Sequence, residues 1–118
     1  MREITISAER EYTVHFVDDA LKKISDETAD RQVCVIVSKN VLRVIGSLPE
    51  AWNTVIVPDG EEQKSGATFL YCLEEMSRLG LNRAAVVIGI GGGATTDLAG
   101  FVAASYMRGV EWIAVPTS

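Results

Sequence analysis

Histidine, cysteine and long apolar runs are scarce in this 118-residue chain, and each scarcity closes off a class of function. His15 is the only histidine, and the two cysteines, Cys34 and Cys72, stand apart, each among apolar neighbours. Without a Cys/His cluster these residues offer no zinc site. Isolated cysteines in apolar surroundings read as reduced packing residues, so a cytoplasmic protein is expected. No apolar run approaches the ~20 residues of a membrane helix. Met1–Ile6 alternates like a strand and contains no signal-peptide core. Basic residues are outnumbered, and a net charge of −5 argues against wrapping a nucleic-acid backbone. No internal repeat or low-complexity linker is present. At 47% hydrophobic and 23% charged, the composition is that of an ordinary globular domain with a single core.

What is there is an alternation of strands and helices. Ile4 and Ile6, then Tyr12, Val14 and Phe16, alternate with polar residues and predict an N-terminal β-hairpin around Ser7–Glu11. Asp18 and Asp19 open a short helix carrying Ala20, Leu21 and Ile24. The apolar run Val33–Val37 suits a parallel strand covered on both faces. Val41, Leu42 and Ile45 form a short helix closed by Gly46. Val55–Val57 is a further buried strand, stopped by Pro58-Asp59-Gly60. Ser65 caps a helix with Phe69, Leu73 and Met76 on its inner stripe, and Gly80 ends it. Ala84–Ile90 is a strand that feeds a glycine run. The helix behind that run has no charge between Asp97 and Arg108 and is expected to be buried nearly all round. Trp112–Val115 is the last strand. The pattern predicts a doubly wound α/β fold with a mostly parallel sheet and right-handed crossovers. The chain stops at Pro116-Thr117-Ser118, just behind a strand, where such folds place ligand-binding residues. It is therefore expected to be a piece of a longer protein.

The chemistry centres on Gly89-Ile90-Gly91-Gly92-Gly93-Ala94-Thr95-Thr96-Asp97. A strand, three consecutive glycines and a helix N-terminus bring backbone N–H groups and the positive end of a helix dipole to one place. That combination suits phosphate or pyrophosphate. The order G-x-G-x-x-A fits a dinucleotide turn, although the glycines are consecutive and Glu111, ~20 residues downstream, stands before a strand instead of at its end. A tight strand-to-helix turn requiring glycine for packing is the alternative. Asp97 reads either as a residue favoured by the helix dipole or as a carboxylate binding a ribose, a substrate hydroxyl or a lysine, for which Lys64 is the candidate. The loop Asp59-Gly60-Glu61-Glu62-Gln63-Lys64-Ser65 reads either as a solvated connection or as acids and a lysine facing the glycine crevice. Arg108-Gly109 is either a dipole-favoured helix end or an anion contact. His15 reads as a surface residue, Trp52 and Trp112 as packing.

Taken together these residues resemble the 3-dehydroquinate synthase family. The resemblance rests on Pro58-Asp59-Gly60-Glu61 with Lys64-Ser65, on Gly91-Gly92-Gly93 with Asp97-Leu98-Ala99-Gly100-Phe101, on Ala103-Ala104 with Arg108-Gly109-Val110, and on Val115-Pro116-Thr117. The motifs occur in the family's order and spacing and are most secure over residues 55–118. The glycine run alone is shared with iron-type polyol dehydrogenases. The resemblance implies a Rossmann-like NAD-binding domain, residues 1–118, lacking a helical C-terminal domain. It implies NAD, used catalytically, and a divalent metal, zinc or cobalt, whose glutamate and two histidine ligands lie outside this chain. The substrate implied is the seven-carbon sugar acid phosphate DAHP, and the reaction its conversion to 3-dehydroquinate with loss of phosphate, in the shikimate pathway. The implied assembly is a homodimer, with no nucleic-acid or membrane partner.

Residue by residue, the resemblance implies NAD contacts at Asn40, at Asp59, Gly60, Glu61, Glu62, Gln63 and Lys64, along Gly91, Gly92, Gly93, Ala94, Thr95, Thr96 and Asp97, and at Thr117 and Ser118. Arg108, with Asp97, is implied to meet the substrate, Arg108 across a subunit boundary. Three departures stand out. Ser118 replaces a threonine, Ser38 stands where many members carry an aspartate, and Ala94-Thr95-Thr96 replaces a more common Val-x-Gly. An aminodehydroquinate or valiolone-type synthase, a polyol dehydrogenase and a non-catalytic nucleotide-binding module are the rival readings.

Overall fold

Val33–Val37 has no polar residue to turn toward water, so it requires cover on both faces, and it receives it. In the computed structural model, which describes the backbone of residues 2–117 and the side chains of Tyr12 and residues 14–117, this run is β1 (Val33–Ser38), buried throughout. It pairs in parallel with β2 (Asn53–Val57) on one side and with β3 (Val86–Gly91) on the other. β4 (Glu111–Pro116) pairs in parallel with β3, giving the order β2-β1-β3-β4. Helix α1 (Arg2–Glu27) precedes β1, α2 (Lys39–Ile45) links β1 to β2, α3 (Gly66–Arg78) links β2 to β3, and α4 (Gly93–Ser105) links β3 to β4.

Two apolar layers follow from the pleat. Val33, Val35 and Val37 join Val86, Ile88 and Ile90 beneath α1 and α2. Cys34 and Ile36 point the other way, with Val55, Val57 and Val87, onto α3 and α4. The chain moves outward from β1 to β2 on one face and returns over the other to β3. The order of strands therefore reverses between β1 and β3, and that gap is the switch point at which such sheets hold ligands. Local signals place the ends of the helices as expected. Ser65 Oγ accepts from Thr68 N at 3.1 Å at the head of α3. Gly46 (φ 84) follows α2, and Gly80 (φ 70) follows α3. Both cysteines are free and buried. Burial pushes the Cys34 thiol up to about 12 and the Cys72 thiol up to about 11.

Three expectations are corrected. The predicted N-terminal hairpin is instead part of α1. Within its described side chains, half-buried Val14 lines up with buried Val17, Leu21, Ile24 and Thr28, a spacing of three to four residues that a helix turns to one face. Tyr12 and Phe16, which a strand would place beside Val14, face outward. The hairpin positions Ile4 and Ile6 have no described side chains. Asp18 and Asp19, expected to open a helix, lie inside α1. The second correction is to α4, which is covered on one side only. Phe101 is 70% exposed, because no element of the described chain packs over its outer face. Finally, β2 lies at the sheet edge and leaves Ile56 exposed.

Candidate nucleotide-binding site

The glycines of this run do different work. Gly89 lies inside β3 where α4 crosses it, and a Cβ there would lie 2.6 Å from Ala99 Cβ. This glycine is a packing requirement. Gly91 has φ +153, and a Cβ on it would meet Thr95 Cβ and Oγ1 at 2.9 Å, so the turn itself excludes a side chain. Gly93 has nothing within 4 Å of a Cβ position and faces open space. It opens α4, with Gly92 as N-cap and no side-chain cap. Thr96 N bonds Gly92 O at 3.1 Å. The N–H groups of Gly93, Ala94 and Thr95 precede any intrahelical acceptor and stand at the positive end of α4. Thr96 Oγ1 turns back to the carbonyls of Gly92 and Gly93, at 3.3 and 3.2 Å. The result is a candidate anion cradle beside the switch point, open at Gly93.

Neighbouring loops are tied to this cradle. Thr117 N donates to Gly91 O at 2.9 Å, which places Thr117 at its edge. Ser118 lies outside the described residues. A 3-10 turn, Gly60–Lys64, follows β2 and carries Glu61 and Lys64, both exposed and 3.6 Å apart. Gln63 is turned inward and buried, and its Oε1 accepts from Thr95 Oγ1 at 2.6 Å. A ligand contact through Gln63 Oε1 would compete with that bond, while its Nε2 remains a donor on the cleft wall. Asp59 Oδ1 accepts from Asn40 N at 3.0 Å, so one carboxylate oxygen is used at the head of α2. Ser38 is the N-cap of α2, its Oγ accepting from Val41 N at 3.4 Å.

Between the 3-10 turn and α4 lies a cleft of about 490 Å³. Lys64 and Asp97 both line it but form no ion pair with each other, and the acids Glu61 and Glu62 of the loop reading are not on its wall. Its apolar wall is Phe69, Leu98 and Phe101, with the Phe69 and Phe101 rings edge-to-face at 5.7 Å. A mostly apolar wall with two opposite charges at its edge suits a ligand with a flat ring and polar ends. Phe69, Leu98 and Phe101 were not anticipated as site residues. The signal was available: Ala94, Asp97, Leu98 and Phe101 recur at i, i+3, i+4 and i+7 and share one helix face.

Two residues lie elsewhere. Arg108 is at the far end of α4, whose 13 residues separate it from the glycine turn by about 20 Å. It is exposed and sits in a strained bend, with positive φ at Met107 (46°) and Arg108 (69°), followed by Gly109 (110°). The bend is held by Val110 N on Ala103 O, at 2.8 Å, and by the buried Tyr106, whose hydroxyl donates to Leu81 O at 2.6 Å. Glu111 opens β4 at the sheet's amino edge, paired with Arg31 at 3.2 Å, and is far from any ribose at the cradle. His15 is exposed. Among the described residues no group of three or more His, Cys, Asp or Glu side chains is gathered for a metal.

Known proteins resemble this chain in sequence and in fold. A 3-dehydroquinate synthase of Streptomyces avermitilis is 55% identical over 62 residues, 52% of this chain and 17% of the relative. A 3-dehydroquinate synthase of Chlamydia trachomatis is 44% identical over 78 residues, 66% of this chain and 21% of the relative. The chain thus spans about a fifth of the length of the curated relatives it matches. Among solved structures, a 2-epi-5-epi-valiolone synthase from Streptomyces hygroscopicus with NAD+ and Zn2+ bound matches with a TM-score of 0.68 and 21% identity, over 80% of this chain and 29% of that one. That likeness establishes the Rossmann-like fold. The model of the 3-dehydroquinate synthase N-terminal family matches residues 54–118, more than half of the chain and all of the cradle described above, and the chain belongs to that family.

Proposed function

We propose that residues 1–118 form the NAD-binding domain of a 3-dehydroquinate synthase, the parent enzyme converting DAHP to 3-dehydroquinate and phosphate. The observation that carries this reading is the open Gly93 turn at the switch point, with Lys64 and Asp97 facing one adjoining cleft. The cradle fits a dinucleotide: the N–H groups of Gly93, Ala94 and Thr95 donate to the pyrophosphate. Lys64 brings a positive charge to the edge of the same cleft for a phosphate, and the Asp97 carboxylate is placed to accept from a sugar hydroxyl. Asn40, Asp59, Glu61 and Thr117 stand around the same carboxyl edge of the sheet and are assigned to the rest of the cofactor, with Ser118 following from the family motif. NAD, when bound, supplies reversible hydride transfer. The chain's own task is to hold it in one orientation.

The described residues gather no donor set for a divalent metal, so no step is assigned to one on this chain. The metal of the parent enzyme is assigned to residues outside these 118. Arg108 is assigned to the substrate of a second subunit in a homodimer. Its strained bend holds it outward, at the end of α4 remote from its own cradle. The setting of such an enzyme is the cytoplasm.

Calorimetric titration tests the assignment. NAD and ADP-ribose should bind the 118-residue protein weakly, and Asp97→Ala should weaken ADP-ribose further. Tight binding unchanged by Asp97→Ala would remove Asp97 from the site. Phosphate release from DAHP should not be detected with the 118-residue protein, and turnover would overturn its assignment as a binding half.

A further inference from the structure

Thr95 sits between the cradle and the lysine-bearing turn and touches both. On one side its Cβ and Oγ1 fill the space above Gly91, where a Cβ would come within 2.9 Å of them. On the other side Oγ1 donates to Gln63 Oε1 at 2.6 Å. Thr95 is 2% exposed and Gln63 5%, so water does not compete for this bond. Gln63 immediately precedes Lys64, and its turn is short and otherwise exposed. Behind it, Ser65 Oγ and Thr68 Oγ1 both donate to Glu62 O, at 3.0 and 2.8 Å, which fixes the turn to α3 but not to α4. Among the described residues, Gln63–Thr95 is the one side-chain hydrogen bond joining the 3-10 turn to α4. The two halves of the cleft come from segments 32 positions apart in sequence.

We propose that Gln63 and Thr95 are a positioning pair: their hydrogen bond sets the spacing between the Lys64 turn and the Gly91–Asp97 cradle before any ligand arrives. This deepens the dinucleotide reading and rests on it only for the identity of the ligand. A buried, short hydrogen bond that crosses the cleft does what neither backbone can do, since the turn and α4 share no ladder. Removing the donor while keeping the shape leaves Gln63 Oε1 unsatisfied. The amide then gains by turning out to water, and it takes the turn with it.

The test has two arms. In ligand-free protein, amide hydrogen exchange should speed up about ten-fold across Glu61–Ser65 in Thr95→Val, with β1 and β3 unchanged, while Thr95→Ser, which keeps the hydroxyl, should match the parent. Gln63→Met should reproduce the Thr95→Val pattern from the other side, a check that does not depend on one variant folding well. Parental exchange at the turn in Thr95→Val and Gln63→Met would overturn the proposal. In the second arm ADP-ribose is titrated at a temperature where all variants are folded. Binding should fall about ten-fold in Thr95→Val and recover in Thr95→Ser. A loosened turn with parental ADP-ribose affinity would make the pair merely structural and would also overturn the proposal. If the parent protein itself does not bind ADP-ribose, the dinucleotide reading fails, and the exchange arm still decides whether the pair sets the turn.

Discussion

Substituting Gly89 and Gly93 separately tests whether the glycine run divides into packing and ligand-facing parts. At position 89 an alanine Cβ would lie 2.6 Å from Ala99 Cβ and 3.3 Å from Thr96 Cα. Carbon atoms pack at about 3.5–4.0 Å, so the first contact is short by about 1 Å. Neither partner is a flexible side-chain end: one is the Cβ of a buried alanine, the other helix backbone. Relief requires α4 to move off β3, and overpacking of this kind costs about 1–3 kcal/mol. At position 93 an alanine Cβ meets nothing, the φ is ordinary, and the position opens a helix, where alanine is favoured by up to about 1 kcal/mol. Urea unfolding at neutral pH should therefore show Gly89→Ala destabilised by about 1–3 kcal/mol, with Gly93→Ala equal to or slightly above the parent. Ala99→Gly in the Gly89→Ala background removes the 2.6 Å contact and should recover part of the loss, despite a helix cost of about 1 kcal/mol for the glycine. ADP-ribose binding should show the opposite order, since the added Cβ at 93 enters the mouth of the cradle. If Gly89→Ala is as stable as the parent while Gly93→Ala is the destabilised variant, the division of roles is wrong.

Other perturbations probe the frame and the charges. Tyr106→Phe removes the hydroxyl that donates to Leu81 O at 2.6 Å and leaves that carbonyl without its side-chain donor. The expected loss is about 1–2 kcal/mol in urea unfolding, and an unchanged midpoint would show that the bend before Arg108 is held by other contacts. Burial raises the folded-state thiol pKa to about 12 at Cys34 and about 11 at Cys72, from an ordinary 9.0, so folded protein holds these protons more tightly than unfolded protein. Their stabilising contribution is complete below pH 9 and is lost as pH rises toward 11 and 12, each with a slope of about 1.4 kcal/mol per pH unit. Stability measured from pH 8 to 10.5 should therefore fall less steeply in the Cys34→Ala/Cys72→Ala protein, and parallel curves would contradict the buried-thiol account. Lys64→Met keeps the stem and removes the charge. It should change stability by less than about 1 kcal/mol, because the Glu61 pair is exposed, while weakening ADP-ribose and flattening its salt dependence. A salt dependence equal to the parent's would place Lys64 outside the phosphate field.

Much of the frame was legible because its causes are local. A run such as Val33–Val37 cannot face water on either side, and so announces a covered strand. Ser65, Gly46 and Gly80 mark helix ends through bonds and backbone angles within a few residues. The cradle was legible for the same reason: strand, glycines and helix are contiguous. The N-terminal segment misled because alternation at Tyr12, Val14 and Phe16 suits a strand, while the deciding stripe through Val17, Leu21 and Ile24 continues beyond it. The cleft was only partly legible. Lys64 and Asp97 were connected by their chemistry, but Phe69 and Phe101 read as core residues, and their partial exposure depends on what does not pack over them.

The sequence by itself determined the alternation of strands and helices, the ends of α2 and α3, and the strand–glycine–helix turn at Gly91–Asp97, since each depends on neighbours within a turn or two of chain. Tertiary structure alone decided the order β2-β1-β3-β4, and with it the switch point beside the cradle. It also decided that Gln63 turns inward to Thr95, that Asp59 holds the head of α2, and that Arg108 stands about 20 Å from the glycines it accompanies in the motif. Those outcomes rest on contacts between residues tens of positions apart, or on the length of a helix laid across the sheet. Neither is written in any short stretch of residues.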